Sequence, residues 1–182
     1  MFNTRCIAAW LSRGKVSHKL PESLRVGPYE PAVLVRFRPA WIYIDGIREF
    51  GRFFCTATFN QPEISERAQV MIQETLENAI KYSDRDSLSE LEMVMTMDGS
   101  ELAVSVCSVP SLEHFGSLRA ELEQLYQQDP EQAYLAAFER ASRDPSASAR
   151  LGLARLRFEC KAELSVEEEP GGRIRVTARA VL

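Results

Sequence analysis

Histidine is scarce in this chain, with two among 182 residues, and the four cysteines, Cys6, Cys55, Cys107 and Cys160, form no CxxC pair. His18 and His114 stand in no metal-ligand spacing, which argues against a structural zinc site. Single cysteines inside apolar stretches pack as small hydrophobes, so these read as reduced thiols of a cytoplasmic protein. No stretch approaches the roughly 20 apolar residues of a membrane span. The apolar run Cys6–Leu11 is too short for a secretory signal followed by a small-residue cleavage site. Positive charge is in deficit: 22 Lys+Arg face 26 Asp+Glu, a net charge of −4. That is the wrong balance for a protein whose main partner is nucleic acid. GxSxG, HExxH, P-loop and GxGxxG motifs are all missing. What remains is ordinary globular composition, 45% hydrophobic and 26% charged. The length suits one domain with a core that needs no cross-links.

Residues 1–30 hold a basic cluster, Arg13, Lys15, His18 and Lys19, without sustained periodicity, and read as a loosely ordered N-terminal arm. The folded domain is expected over 31–182. Ala32–Phe37 and Trp41–Ile44 are rich in β-branched and aromatic residues, and Asp45-Gly46 is a turn signal. Phe53–Phe59 fits a strand or a buried helix segment equally. A helix is predicted from Pro62-Glu63 to about Tyr82, with an apolar stripe through Ile72, Leu76 and Ala79. A hairpin follows, 91–97 and 102–106 around Asp98-Gly99, with alternation on both arms.

Further helices are predicted over 111–127, from an Asp129 cap with Pro130 at the first position, and over 151–158. Residues 142–149 are small and polar, and read as a mobile loop. Two closing strands, 161–166 and 173–181, flank a Gly171-Gly172 turn, and Glu167-Glu168-Glu169 before Pro170 reads as solvated. Trp10 and Trp41 read as packing residues. Helices on one side of a mostly antiparallel, mixed sheet make an α+β two-layer sandwich.

The chemistry concentrates between Gln73 and Asp84. Glu74 and Asn78 are one helical turn apart, and Lys81 and Tyr82 continue the same surface, opposite the apolar stripe. An Asn carbonyl oxygen is a hard ligand suited to Mg²⁺, and a carboxylate one turn earlier can orient water or take a proton. Spacing alone favours the simpler reading, a solvated polar face.

The stretch Leu76-Glu-Asn-Ala-Ile-Lys-Tyr-Ser83 resembles the N-box of the GHKL (Bergerat-fold) ATPases, which include histidine kinase catalytic domains and anti-sigma-factor serine kinases. Ala149-Arg-Leu-Gly-Leu-Ala154 is similar to their later glycine box, with Arg150 where the first glycine is usual. Together with Leu125–Pro130, the pattern resembles the SiaB-type regulators most. The resemblance spans roughly 62–182 and implies a Bergerat-like α/β sandwich. It implies Asn78 as the Mg²⁺ ligand, Glu74 as the catalytic carboxylate, and Lys81 and Tyr82 near the phosphates of ATP. Gly152 and Leu153 would present backbone N–H groups to the nucleotide.

The family's DxGxG, whose Asp receives the adenine amino group, is replaced here by Ser105-Val-Cys-Ser-Val-Pro-Ser111. Losing such an acceptor costs roughly 1–3 kcal/mol. Ser108 is the nearest substitute. Two functions follow from the resemblance. One is a serine kinase that uses MgATP to switch a small, STAS-like partner protein. The other is a protein-binding module of the same fold that needs no nucleotide. A homodimer is compatible with either.

Overall fold

A computed structural model describes residues 31–83, 90–97, 100–143 and 148–182; for 31, 32, 112–115 and 148–150 it describes the backbone alone. The expected N-terminal arm, the Asp98-Gly99 turn and residues 144–147 of the expected loop lie outside the described residues.

The first strand is β1 (Pro31–Phe37), and a 3₁₀ turn (Trp41–Tyr43) leads into α1 (Ile44–Phe59) and then α2 (Pro62–Tyr82). The hairpin β2 (Leu91–Met97) and β3 (Glu101–Ser108) follows. Next come α3 (Leu112–Tyr126), α4 (Pro130–Arg143) and α5 (Ser148–Phe158), then β4 (Glu163–Glu169) and β5 (Arg173–Val181). The sheet runs β1-β2-β3-β5-β4, and all four pairings are antiparallel. Helices against this open sheet form the α+β two-layer sandwich.

The layering follows from alternation. Val33, Met95, Val104, Ala178 and Leu164 stand in one row across the strands, and all are buried. Helix α2 lies over that face, burying Ile64, Ala68, Met71, Ile72, Leu76 and Ile80 at three- and four-residue spacing. Pro62 at its start, Glu63 in its first turn and Lys81 in its last suit the helix ends. Buried Thr75 is satisfied within the helix, its hydroxyl donating to the Met71 carbonyl at 2.6 Å.

The opposite face carries charge. Arg36, Glu92, Cys107 and Arg175 form another row across the sheet. Glu92 accepts from Arg36 at 2.9 Å and from Arg175 at 3.2 Å, and Arg175 also pairs with Glu169. Glu169 is therefore the end of strand β4 in a part-buried ion pair, not a solvated turn residue. The Gly171-Gly172 turn that follows has φ of +82° and +74°, a region that only glycine enters readily.

One stretch departs from expectation. Trp41–Ile44 is not a strand and Asp45-Gly46 is not a turn: the segment is the 3₁₀ turn and the start of α1, which continues through Phe53–Phe59. Trp41 is 56% exposed and packs in no core. The reason is packing against α2. α1 approaches it through Gly51 and Cys55, and a Cβ on Gly51 would lie 2.2 Å from Ile72 Cδ1. Ile44, Gly51 and Cys55 are buried and Ile47, Phe54 and Phe59 pack partly against the core, while Phe50 and Phe53 face out. Asn60, at φ 52°, ends the helix in the left-handed region.

The remaining helices cap one edge. Tyr126 closes α3 onto β4, its hydroxyl donating to the Leu164 carbonyl at 3.1 Å and accepting from the Leu164 N–H at 2.7 Å. Asp129 caps α4 by accepting from the Glu131 and Gln132 N–H groups at 3.0 and 3.2 Å. Cys55, Cys107 and Cys160 are free and buried. Burial raises their thiols to about 11, 12 and 12 respectively, leaving them protonated at neutral pH.

Candidate functional site

Helix α2 turns its second face toward α5, and there two segments far apart in sequence meet. A Cβ on Gly152 would lie 2.4 Å from Glu74 Oε2 and 3.7 Å from Asn78 Nδ2. The bare Cα of Gly152 thus fills the position at which α5 crosses the Glu74–Asn78 turn. Any larger residue would have to displace the carboxylate.

Glu74 is held from the same helix. Arg155 Nη1 donates to Glu74 Oε1 at 3.0 Å, and Arg155 Nε donates to Glu159 Oε2 at 2.8 Å. Tyr134 of α4 donates to the other oxygen of Glu159 at 3.2 Å and stacks on Phe158, ring centroids 5.2 Å apart. Burial drives the Glu74 carboxyl above its ordinary range, and the hydrogen bond from Arg155 only partly opposes this. Burial works to lower the Arg155 guanidinium, but the two carboxylates outweigh it and raise it. Tyr134 is raised by desolvation first and by Glu159 second.

Asn78, one turn beyond Glu74, has a buried amide nitrogen with no hydrogen-bond partner among the described residues. Such a group costs roughly 1–3 kcal/mol wherever nothing satisfies it. Because the amide oxygen and nitrogen exchange on a flip, the position can present either a donor or a hard oxygen. A phosphate oxygen satisfies the first and Mg²⁺ the second. The residues present fit a metal–phosphate group.

Lys81 and Tyr82 follow Asn78 by three and four residues at the end of α2. Lys81 Nζ stands 5.6 Å from the Tyr82 ring centroid, and the Tyr82 carbonyl accepts from the Ser111 N–H at 3.1 Å. Ser83 forms a β-bridge with Pro110. The segment that stands in place of DxGxG is therefore tied to the end of the Asn78 helix. Ser108 is 5% exposed at the end of β3, opposite Ile174.

Two expected roles change. Gly152 and Leu153 are the fifth and sixth residues of α5, which begins at Ser148. Their N–H groups fall inside the helical ladder, because only the first turn of a helix has open amides. Gly152 instead provides clearance for Glu74, and the Leu153 side chain, 3% exposed, belongs to the core. Arg155 was not among the expected residues. Its spacing to Glu159 signals a helical pair, but its reach to Glu74, 81 positions away, appears only in the folded chain.

The chain matches no protein-family model and no curated protein sequence. It is similar in fold to a chain in the crystal structure of the SiaB–SiaC complex from Pseudomonas aeruginosa. The TM-score is 0.63 over 84% of this chain and 91% of that one, at 17% identity, so the likeness is one of fold.

Proposed function

We propose that this protein is a signalling regulator that switches a small protein partner, through a GHKL-type site on α2 that takes Mg²⁺ and ATP and acts as a serine kinase. The observation that carries the reading is the meeting of Glu74, Asn78 and Gly152, the core residues of two boxes that were recognisable separately in sequence. The unpaired Asn78 amide adds a group waiting for a ligand. That the fold recurs in a two-protein complex supports a protein partner, with a STAS-like antagonist the suspected kind.

In this reading Asn78 holds Mg²⁺, which when bound screens the phosphate charge, and Lys81 and Tyr82 border the phosphates. Glu74, held through Oε1 by Arg155, would accept the proton of a serine hydroxyl as the serine oxygen attacks the γ-phosphorus and ADP leaves. A carboxyl raised by burial is a stronger base than an exposed one. Arg155 positions the carboxylate. Phosphoryl transfer asks mainly for such placement.

A second reading has its own observation. Arg155 already neutralises Glu74, and the 105–111 segment in place of DxGxG holds no carboxylate to receive adenine. The chain would then bind its partner without nucleotide. Isothermal titration of the whole chain with ATP and GTP, with and without Mg²⁺, separates the two. The kinase reading expects weak, Mg²⁺-dependent binding that Asn78→Ala abolishes. ATP and GTP should differ by about tenfold or less, since one base-reading hydrogen bond is missing. No binding of either nucleotide leaves the partner-binding module.

A further inference from the structure

The outward face of α1 has a pattern that the fold of one chain does not use. Gly46, Phe50, Phe53 and Ala57 follow one another at intervals of four, three and four, and so form one stripe. All four are exposed, Phe50 by 42% and Phe53 by 65%, and the exposed 3₁₀ turn prolongs the patch. Gly46 has no role inside the chain: a Cβ there would meet nothing within 4 Å. Gly51, by contrast, is required by Ile72.

The stripe reads the same in both directions, small–Phe–Phe–small. Two copies of α1 packed antiparallel about a two-fold axis between Phe50 and Phe53 set Gly46 against Ala57 and Phe50 against Phe53, twice over. Isologous interfaces need such self-complementarity. Glu49 and Arg52 lie along one flank and pair within the chain at 3.1 Å, both about half exposed. In the antiparallel arrangement Glu49 of one copy stands opposite position 54 of the other, within one helical turn of that copy's Arg52. The helix carries two acids and two arginines, Asp45, Glu49, Arg48 and Arg52, without the cationic excess of a membrane-surface helix.

We infer that α1 is a homodimer interface, with a second copy of this chain packed antiparallel on the Gly46–Phe50–Phe53–Ala57 stripe. This stands apart from the nucleotide reading, since none of these residues belongs to the Glu74–Asn78 site.

Sedimentation velocity of the full chain tests it. The 20.6 kDa chain is expected to sediment as a dimer at micromolar concentration. Phe53→Glu should raise the dissociation constant about 30-fold or more, as loss of a central anchor does, with an unchanged circular dichroism spectrum. Glu49→Arg alone should weaken the dimer, and combining it with Arg52→Glu should restore it. Register is read by mixing Gly46→Cys chains with Ala57→Cys chains in a Cys6→Ser background: the mixture should cross-link more than either alone. A wild-type chain that stays monomeric at about 100 μM, within the affinity range of even transient complexes, overturns the inference. So does a dimer indifferent to Phe53→Glu, or a stripe that instead binds phosphatidylcholine–phosphatidylglycerol vesicles as a monomer.

Discussion

Two buried carboxylates mark two differently built regions. On the sheet's charged face, Glu92 meets Arg36 and Arg175, and Arg175 reaches on to Glu169, so the acids there are matched by arginines. Between α2 and α5, Glu74 has a single arginine that it shares with Glu159, and its neighbour Asn78 keeps an unpaired amide. The first region balances two acids with two arginines and reads as structure, although Arg175 Nη1, like the Asn78 amide, is buried without a partner among the described residues. The second sets two carboxylates on one arginine, and this shortage of positive charge beside the Asn78 amide is where a cationic ligand gains most from binding.

The contrast breaks if the two regions respond alike to loss of their arginines. Arg175→Met strands Glu169 and leaves Glu92 to Arg36 alone, and should cost about 3 kcal/mol in urea denaturation, the lower end for breaking a buried pair from one side. Gly152→Ala should change sign with its background. Where Glu74→Ala has removed the carboxylate, the added methyl should stabilise by about 0.5–1 kcal/mol through helix propensity. With Glu74 present the steric conflict should erase or reverse that gain, a coupling readable by a double-mutant cycle. Arg155→Met should cost about 1 kcal/mol or less, since its pair with Glu74 is a third exposed on the arginine side. Equal losses for Arg155→Met and Arg175→Met would remove the distinction.

The acid responses should also oppose each other. For Glu169, burial is the largest single effect and raises the carboxyl, but the hydrogen bonds from Arg175 and Cys107 and the charges of Arg175 and Arg173 together outweigh it, and the net shift is downward. Its folded pKa thus lies below its unfolded one, so its stabilisation is present at neutral pH and lost on acidification through and below the ordinary carboxylate range. For Glu74 the folded pKa lies above the unfolded one, so its contribution is present in acid and lost as pH rises through the folded value. Glu169→Gln should flatten the acid loss and Glu74→Gln the loss on the alkaline side, both measured as the slope of unfolding free energy against pH.

Much of this was legible before folding. Helix α2, both hairpins and the Asp129 cap follow from periodicity, turn residues and capping chemistry, all local signals. The Glu74–Asn78 pair was legible as one helical face, and the glycine box as a motif. Helix α1 was not, because its apolar residues cover two faces: Ile44, Gly51, Cys55 and Phe54 turn to the core while Phe50 and Phe53 face solvent. An aromatic-rich stretch with Asp45-Gly46 inside it reads as strand and turn when only propensity speaks. Arg155 and Glu169 were illegible for another reason. Their partners lie across the fold, and charge in a sequence does not state its distance to another charge.

The account rests most directly on the Asn78 amide. In a ¹⁵N-labelled full-length chain, titration with MgATP should shift the Asn78 side-chain NH₂ resonances with the same binding curve as the backbone of α2. Mg²⁺-free ATP should shift them far less. Saturable MgATP binding that leaves the Asn78 side chain unmoved would contradict the assignment of this site.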